Sequence, residues 1–450
     1  MFRKIISFGA IEGGAKILNI VMMLVLPFFI STEFYGEISI IISIQNLMVS
    51  LMVFGLDKAI LRLYPDFKNN IFWASFIRLW VKIIMILFPI YILGFLFWKG
   101  SISYLFISLL LFVTVLLQCT RQLNIALFKV NQDVKSFFRL RFLVQFAIFV
   151  LVIIALKTNE SINSYLFAYL IALIPFILFL YRGKKKSLYK KEKTLEVQIF
   201  NFSWPLVFHT LGTVILMSVD RLMLDYYLSK HDVAVYSFGY TIGASITFVY
   251  AILNAYFEPR LIKSSEEKSL KEKVLNSYTS VLFIFGIILA VIIIGIAPVI
   301  IENFYNTIYL ESIPIISIII LTHLINPIYL QSNFRLMNLK KTRIIAFSTF
   351  LSGFFNIVLN ALFLENGYGI AGAAYATFIS YLFLSIVIYF LSLKNQKGLK
   401  TIQSVSFVII SISLLTVGLI FVDSKLSLIL LLLILALIHL FNVKGLKYND

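Results

Sequence analysis

Apolar residues in this chain come in long unbroken strings of Ile, Leu, Phe and Val, parted by short polar stretches, from the first ten residues to the last ten. A helix needs about 20 such residues to cross a hydrocarbon core about 30 Å thick, whereas a transmembrane β-strand needs a polar alternation that these strings lack. The pattern therefore predicts an all-α polytopic membrane protein with fourteen transmembrane helices. They are placed at 5–30, 38–55, 72–97, 104–126, 139–156, 164–181, 199–219, 233–257, 278–301, 313–330, 344–364, 370–391, 404–422 and 426–442. No stretch is left over for a soluble catalytic domain.

Composition agrees with this, since 60% of the 450 residues are hydrophobic and 13% are charged. A water-soluble domain is nearer 45–50% apolar and about 25% charged. The net charge of +18 would suggest nucleic acid in a soluble protein; here its distribution decides. With the N-terminus inside, 30 of the 39 Lys and Arg fall in inner segments, 5 in outer segments and 4 within spans. This is the alternation of the positive-inside rule, and one miscounted helix would scramble it from that point on. The basicity is thus orientation and contact with anionic inner-leaflet lipid, with both termini cytoplasmic. Arg3 and Lys4 before an apolar string look like a signal peptide. That string is too long, carries Glu12 and Lys16 and lacks a small-residue cleavage site, so it is expected to stay in the mature protein. The single Cys119 excludes an intramolecular disulfide, and no Cys/His cluster has metal-site spacing. No P-loop is present.

The most basic linker, Arg182 to Lys193, separates spans six and seven. Sliding the chain by 198 places Ser31–Ser39 over Ser229–Ser237 and Arg62 over Arg260. Six helices per half restore the same orientation, so the halves are expected to be parallel repeats. The expected organisation is an N-terminal six-helix bundle (1–181), a cytoplasmic linker (182–198), a second six-helix bundle (199–403), and two added helices with a tail (404–450).

Several segments together resemble a family. Leu26-Pro-Phe-Phe-Ile-Ser-Thr-Glu-Phe-Tyr-Gly36 and Gly55-Leu-Asp-Lys-Ala-Ile-Leu-Arg-Leu-Tyr-Pro65 are followed by Trp204-Pro205, Ser218-Val-Asp-Arg221, Val235-Tyr-Ser237, Asn356 with Asn360, and Gly367–Thr377. In order and spacing they resemble bacterial polysaccharide (O-antigen and capsule repeat-unit) flippases of the multidrug/oligosaccharidyl-lipid/polysaccharide exporter superfamily. The resemblance covers about residues 5 to 400. It implies a non-enzymatic carrier in the bacterial inner membrane that moves undecaprenyl-diphosphate-linked oligosaccharide by alternating access. Its product would go to polysaccharide polymerase and chain-length machinery. No cofactor is implied beyond a coupling H+ or Na+.

A diphosphate needs a water-filled, cation-lined cavity, because hydrocarbon does not accept its charge. The candidate contacts are Lys16, Arg62, Arg78, Lys82, Arg121 and Arg260. Lys16 lies about 16 Å along span one if that helix starts near Ile5, and Glu12, four residues earlier, shares its face. Arg78 and Lys82 are likewise four apart, close enough to the inner edge to snorkel. Glu12, Asp220 and Arg221 are the candidates for coupling or gating, and His209 and His323 lie inside spans where a neighbouring helix can bind them. The competing readings are a drug/cation antiporter of the same superfamily, which would favour buried acids over these buried bases, and a membrane polysaccharide polymerase or acyltransferase, which would need an acid/base pair on a sizeable loop. A non-transporting scaffold would tolerate neutralisation of every intramembrane charge.

Overall fold

The computed structural model describes residues 2–67, 70–99, 105–181, 193–263, 268–339 and 341–394. The last two expected spans, most of the basic linker and the tail lie outside the described residues. Those described form a helical polytopic membrane protein, in which eleven helices are long and apolar enough to cross a bilayer and a shorter apolar one covers Ile162–Phe176. Each of the first twelve expected spans is occupied by a helix or by two helices in tandem. The chain divides into two compact units, Met1–Ser218 and Val219–Asp450.

The first unit contains α1 (Phe2–Val25), α2 (Thr32–Val53), α3 (Leu56–Phe67), α4 (Asn70–Lys99), α5 (Leu105–Val130), α6 (Val134–Phe138), a π-helical turn (Arg139–Leu143), α7 (Val144–Thr158), α8 (Ile162–Tyr181) and the first part of α9 (Lys193–Tyr227). Ser31 caps α2, its hydroxyl accepting from the Phe34 amide at 3.4 Å. Expected span two (38–55) is filled by α2, and the helical stretch runs on to Phe67 as α3: Phe54 and Gly55 both take positive φ (54° and 68°) and the chain restarts at Leu56. Gly55 is required there twice over: its conformation disfavours side chains, and a Cβ would stand 2.8 Å from the Ser203 carbonyl oxygen. The Trp80 indole donates to the Met52 carbonyl at 3.0 Å and so satisfies one acceptor near the break. α5 packs against α2, α3, α4, α6 and α8. Buried amides tie it in: Gln45 donates to Thr114 at 3.3 Å and accepts from Tyr165 at 3.2 Å, joining α2, α5 and α8.

The second unit holds the end of α9 with α10 (Lys230–Ala244), α11 (Ile246–Lys263), α12 (Lys268–Phe304), a 3-10 turn (Thr307–Ser312), α13 (Ile313–Leu324), α14 (Asn326–Asn338), α15 (Thr342–Glu365) and α16 (Gly369–Lys394). Spans eight and ten are divided, at Ser245 and at Ile325, the latter just before Pro327. Gly243 lets α10 lie directly on α13, since a Cβ there would meet Ile319 Cβ at 2.8 Å and the Ile316 carbonyl at 2.9 Å. α16 packs against α13, α14 and α15.

Of the helix starts that differ from the sequence expectation, two matter below. α9 begins at Lys193, six residues before the expected start of span seven, because Leu195 and Ile199, one turn apart, are both buried and extend its apolar stripe. The fifth span begins at Val134, with Asp133 as its cap accepting from the Ser136 amide at 3.1 Å. Arg139 and Arg141, at the inner edge of the expected span and grouped with the inner-segment charges, therefore lie five and seven residues inside it.

Candidate functional site

In the first unit, basic side chains from three segments meet around one acid. Glu12 on α1 accepts from Arg141 Nη2 at 2.5 Å, and its other oxygen lies 3.7 Å from Lys129 Nζ. It also interacts with Lys16 and Arg121 at longer range. The sequence spacing placed Glu12 beside Lys16; the carboxylate instead turns across to α5 and the π turn. Lys16 is left facing the same group from one turn further along α1.

Arg121 is buried (9% exposed) and donates to Gln145 Oε1 at 3.1 Å. Measured along their helices, Arg141 lies about 10 Å from Val134, Arg121 about 13 Å from Val130 and Lys16 about 21 Å from Phe2. Lys129 stands at the end of α5, where its ammonium also lies 5.4 Å above the Phe137 ring. The four cations thus form a ladder along the length of these helices, with the Glu12 carboxylate bound to Lys129 and Arg141, the two rungs nearest their helix ends. Such an array presents forked N–H donors and point charges to a polyvalent anion.

The other expected cations are placed differently. Arg78 (3.6 Å) and Lys82 both pair with Glu196, a buried acid in the first turn of α9. Lys82 does not simply snorkel, because the early start of α9 brings this acid to it. Arg62 is exposed and pairs with Asp66 one turn on at 3.3 Å. Arg260 lies on α11, near its end.

In the second unit, Asp220 is completely buried and accepts three hydrogen bonds from neutral groups: Tyr236 Oη at 2.5 Å, Thr377 Oγ1 at 2.8 Å and Asn360 Nδ2 at 2.9 Å. α9, α10, α15 and α16 each supply one of these groups. Asn356 extends the network to Thr377 at 3.4 Å. The adjacent Arg221 lies over the Tyr240 ring, 4.3 Å from its centroid, and Tyr240 in turn meets His323 edge-on. His323 also meets Tyr381 edge-on at 5.8 Å, so rings surround it. A carboxylate that accepts from two hydroxyls and an amide, with the Arg221 guanidinium acting on it electrostatically, can respond to a small cation or a proton. Among the described residues no three His, Cys, Asp or Glu gather as a metal site.

Sequence reasoning missed Lys129, Arg141 and Glu196 as site residues and Tyr236 and Thr377 as partners of Asp220. The first two were absorbed by the charge alternation. The last two stood in segments that carried the family resemblance without an assigned role.

Comparison with known proteins bears on what these two sites serve. A family described as polysaccharide biosynthesis protein matches residues 1–257. No curated protein matches the chain. Among solved structures the chain is similar to a lipid II flippase, MurJ, in an inward closed conformation, with a TM-score of 0.63, 18% identity and coverage of 96% of this chain and 97% of that one. It is also similar to a multidrug resistance MATE family transporter of the MOP superfamily in an inward-facing conformation, with a TM-score of 0.59, 12% identity and coverage of 87% and 96%. A third is a MOP superfamily transporter from Pyrococcus furiosus Vc1 (DSM3638), described as having a binding pocket of reverse polarity that suggests a different function; the TM-score is 0.58, with 13% identity and coverage of 87% and 95%. At these identities the likeness is one of fold.

Proposed function

The chain belongs to the polysaccharide biosynthesis protein family, and from that premise we propose that it is a flippase for undecaprenyl-diphosphate-linked oligosaccharide repeat units, working by alternating access in the bacterial inner membrane with both termini cytoplasmic. The observation that carries this reading is the ladder of Lys129, Arg141, Lys16 and Arg121, which holds one acid and so keeps a net positive charge. A diphosphate headgroup is the part of such a substrate that hydrocarbon rejects, while the polyprenyl tail can remain in lipid throughout. Lys16 and Arg121, the deeper rungs, would receive the headgroup; Arg62 and Arg260 would serve its approach. Arg78 and Lys82 act through Glu196, fastening the start of α9 to α4. Asp220, with Arg221 beside it, is the group through which H+ or Na+ would reset the carrier. The translocated glycan would pass to a polymerase and its chain-length partner.

A drug/cation antiporter is the second reading, and Asp220 is what favours it, because a buried acid among neutral donors suits a cationic ligand. One pair of assays separates the two. Proteoliposomes carrying a fluorescent polyprenyl-diphosphate disaccharide should show accelerated exchange between leaflets with the wild type and little with Lys16→Ala or Lys16→Glu at equal protein. Lys16→Arg should retain part of the rate. Wild-type vesicles that extrude a lipophilic cation and leave the glycolipid where it was would establish the antiporter instead.

A further inference from the structure

A site built for an anion has little evident use for a carboxylate, yet Glu12 occupies two of the ladder's four cations. The contact is bidentate in kind, with a guanidinium on one oxygen and an ammonium on the other, which is the pattern a phosphate group would itself accept. It is also accessible: the side chains of Glu12, Arg141 and Lys129 are 26%, 27% and 42% exposed, against 10% for Glu196 in its clasp with Arg78 and Lys82. Local backbone brings the contact about. Arg141 sits in the middle of the π turn, a departure from regular helix often found at functional sites, and Gly14 on α1 admits the Phe142 ring of that turn, which would stand 3.1 Å from a Cβ there. The segments packed against α1 carry Lys135 on α6, with Asp133 as its cap, Arg139 and Arg141 in the π turn and Lys157 on α7, and α5 brings Arg121 and Lys129 to Glu12; those that act on Glu12 are Arg141, Lys129, Lys16 and Arg121.

We propose that Glu12 is a surrogate ligand, occupying Arg141 and Lys129 in the empty carrier and displaced from both by the incoming diphosphate. This rests on the flippase reading and adds a selectivity device to it. A ligand must outcompete an internal carboxylate, so a diphosphate succeeds where a monophosphate, with less charge, does not. On the far side of the cycle the carboxylate returns to its cations and helps the headgroup leave. Glu12 thereby lowers affinity and raises both discrimination and release.

The test uses the full chain in nanodiscs of zwitterionic lipid, titrated calorimetrically with farnesyl diphosphate and farnesyl monophosphate. Glu12→Gln should bind the diphosphate about fivefold tighter than wild type, the scale of removing partly exposed ion pairs, and should prefer it less over the monophosphate. Glu12→Asp should stay near wild type, and Glu196→Gln should gain nothing. In the unmutated protein, diphosphate should speed modification of Glu12 by a water-soluble carbodiimide with an amine, read by peptide mass, a measurement that does not depend on any variant folding. Equal or weaker binding by Glu12→Gln, or a Glu12 that diphosphate protects, overturns the surrogate role while Lys16→Ala still weakens binding and the headgroup site stands. Absence of salt-sensitive diphosphate binding in the wild type, with Glu12 reactivity unmoved, removes the headgroup site and the surrogate role with it.

Discussion

Replacing Asp220 gives a prediction whose size can be worked out bond by bond. Asp220→Ala deletes the acceptor of three hydrogen bonds at a fully buried position. A buried donor left unsatisfied costs about 1–3 kcal/mol, so three independent losses would reach several times that. They are not independent. Asn360 Nδ2 keeps its bond to the Asn356 carbonyl at 2.9 Å, and Thr377 still receives Asn356 and can turn its proton to its own helix. Tyr236 has the largest loss, because its hydroxyl reaches Asp220 from a neighbouring helix at 2.5 Å. Removing a buried carboxylate also recovers part of its desolvation cost. The expected destabilisation is about 3 kcal/mol for Asp220→Ala.

Asp220→Asn is nearly isosteric and keeps one acceptor oxygen, while its new amide faces a hydroxyl that can rotate to accept, so about 1 kcal/mol is expected. Tyr236→Phe should fall between the two. Unfolding of such proteins in detergent is commonly irreversible, so the measurement is a ranking of midpoints from monodispersity after heating at one fixed ramp. The ranking expected is Asp220→Ala lowest, then Tyr236→Phe, then Asp220→Asn close to wild type. An Asp220→Ala protein as heat-resistant as wild type would refute the view that this network holds α9, α10, α15 and α16 together.

Gly55→Ala should cost about 2 kcal/mol or more, from positive φ and a Cβ 2.8 Å from the Ser203 carbonyl; a midpoint within error of wild type would mean that the break between α2 and α3 can be straightened. Arg121→Met keeps the bulk and apolar stem of a buried side chain and should lower affinity for a prenyl diphosphate about tenfold, with the midpoint little changed. Unchanged affinity would take Arg121 out of the headgroup site. Reporters fused after the Arg182–Lys193 segment and after Asp450 should both read cytoplasmic, and an external second reporter would contradict an even number of spans.

The positions of the first twelve helices were legible because a bilayer demands length and apolarity, two properties written directly in the sequence. Their interruptions were not. A Gly inside an apolar string is common in membrane helices, so nothing distinguished Gly55, whose φ is 68°, from Gly14, which only admits a neighbouring ring. The charge alternation read as orientation also concealed a candidate site: a basic residue expected at the inner edge satisfies topology, and Arg141 met that explanation before its depth along the helix was known. Glu196 was hidden by the basic residues around it, although Leu195 and Ile199 already continued the helix through it. The spacing of Glu12 and Lys16 showed that they share a face. It had no means of showing that the cations of α5 and the π turn compete for the same carboxylate.

The two acids so placed differ in the partners that hold them, and under the proposed function that difference would divide the work of a carrier. Glu12 is held by cations and is half-open, so what competes for its partners is an anion. Asp220 is held by two hydroxyls and an amide and is closed off, so what competes for it is a cation or a proton. A ligand moves a conformational equilibrium only by binding one state better than another, and a carrier needs one such bias for the loaded step and another for the return. Asp220→Asn should therefore leave the affinity of the resting protein for a prenyl diphosphate within about twofold and slow repeated turnover. Lys16→Ala should do the reverse, weakening binding about tenfold while a single return step, followed from a pre-set state by a label on α9, keeps its rate. Should Asp220→Asn shift diphosphate affinity as far as Lys16→Ala does, the two sites are coupled in the resting state, and reciprocity requires that diphosphate alter cation binding at Asp220 by the same factor. That second measurement then decides whether one equilibrium serves both ligands or each unit responds to its own.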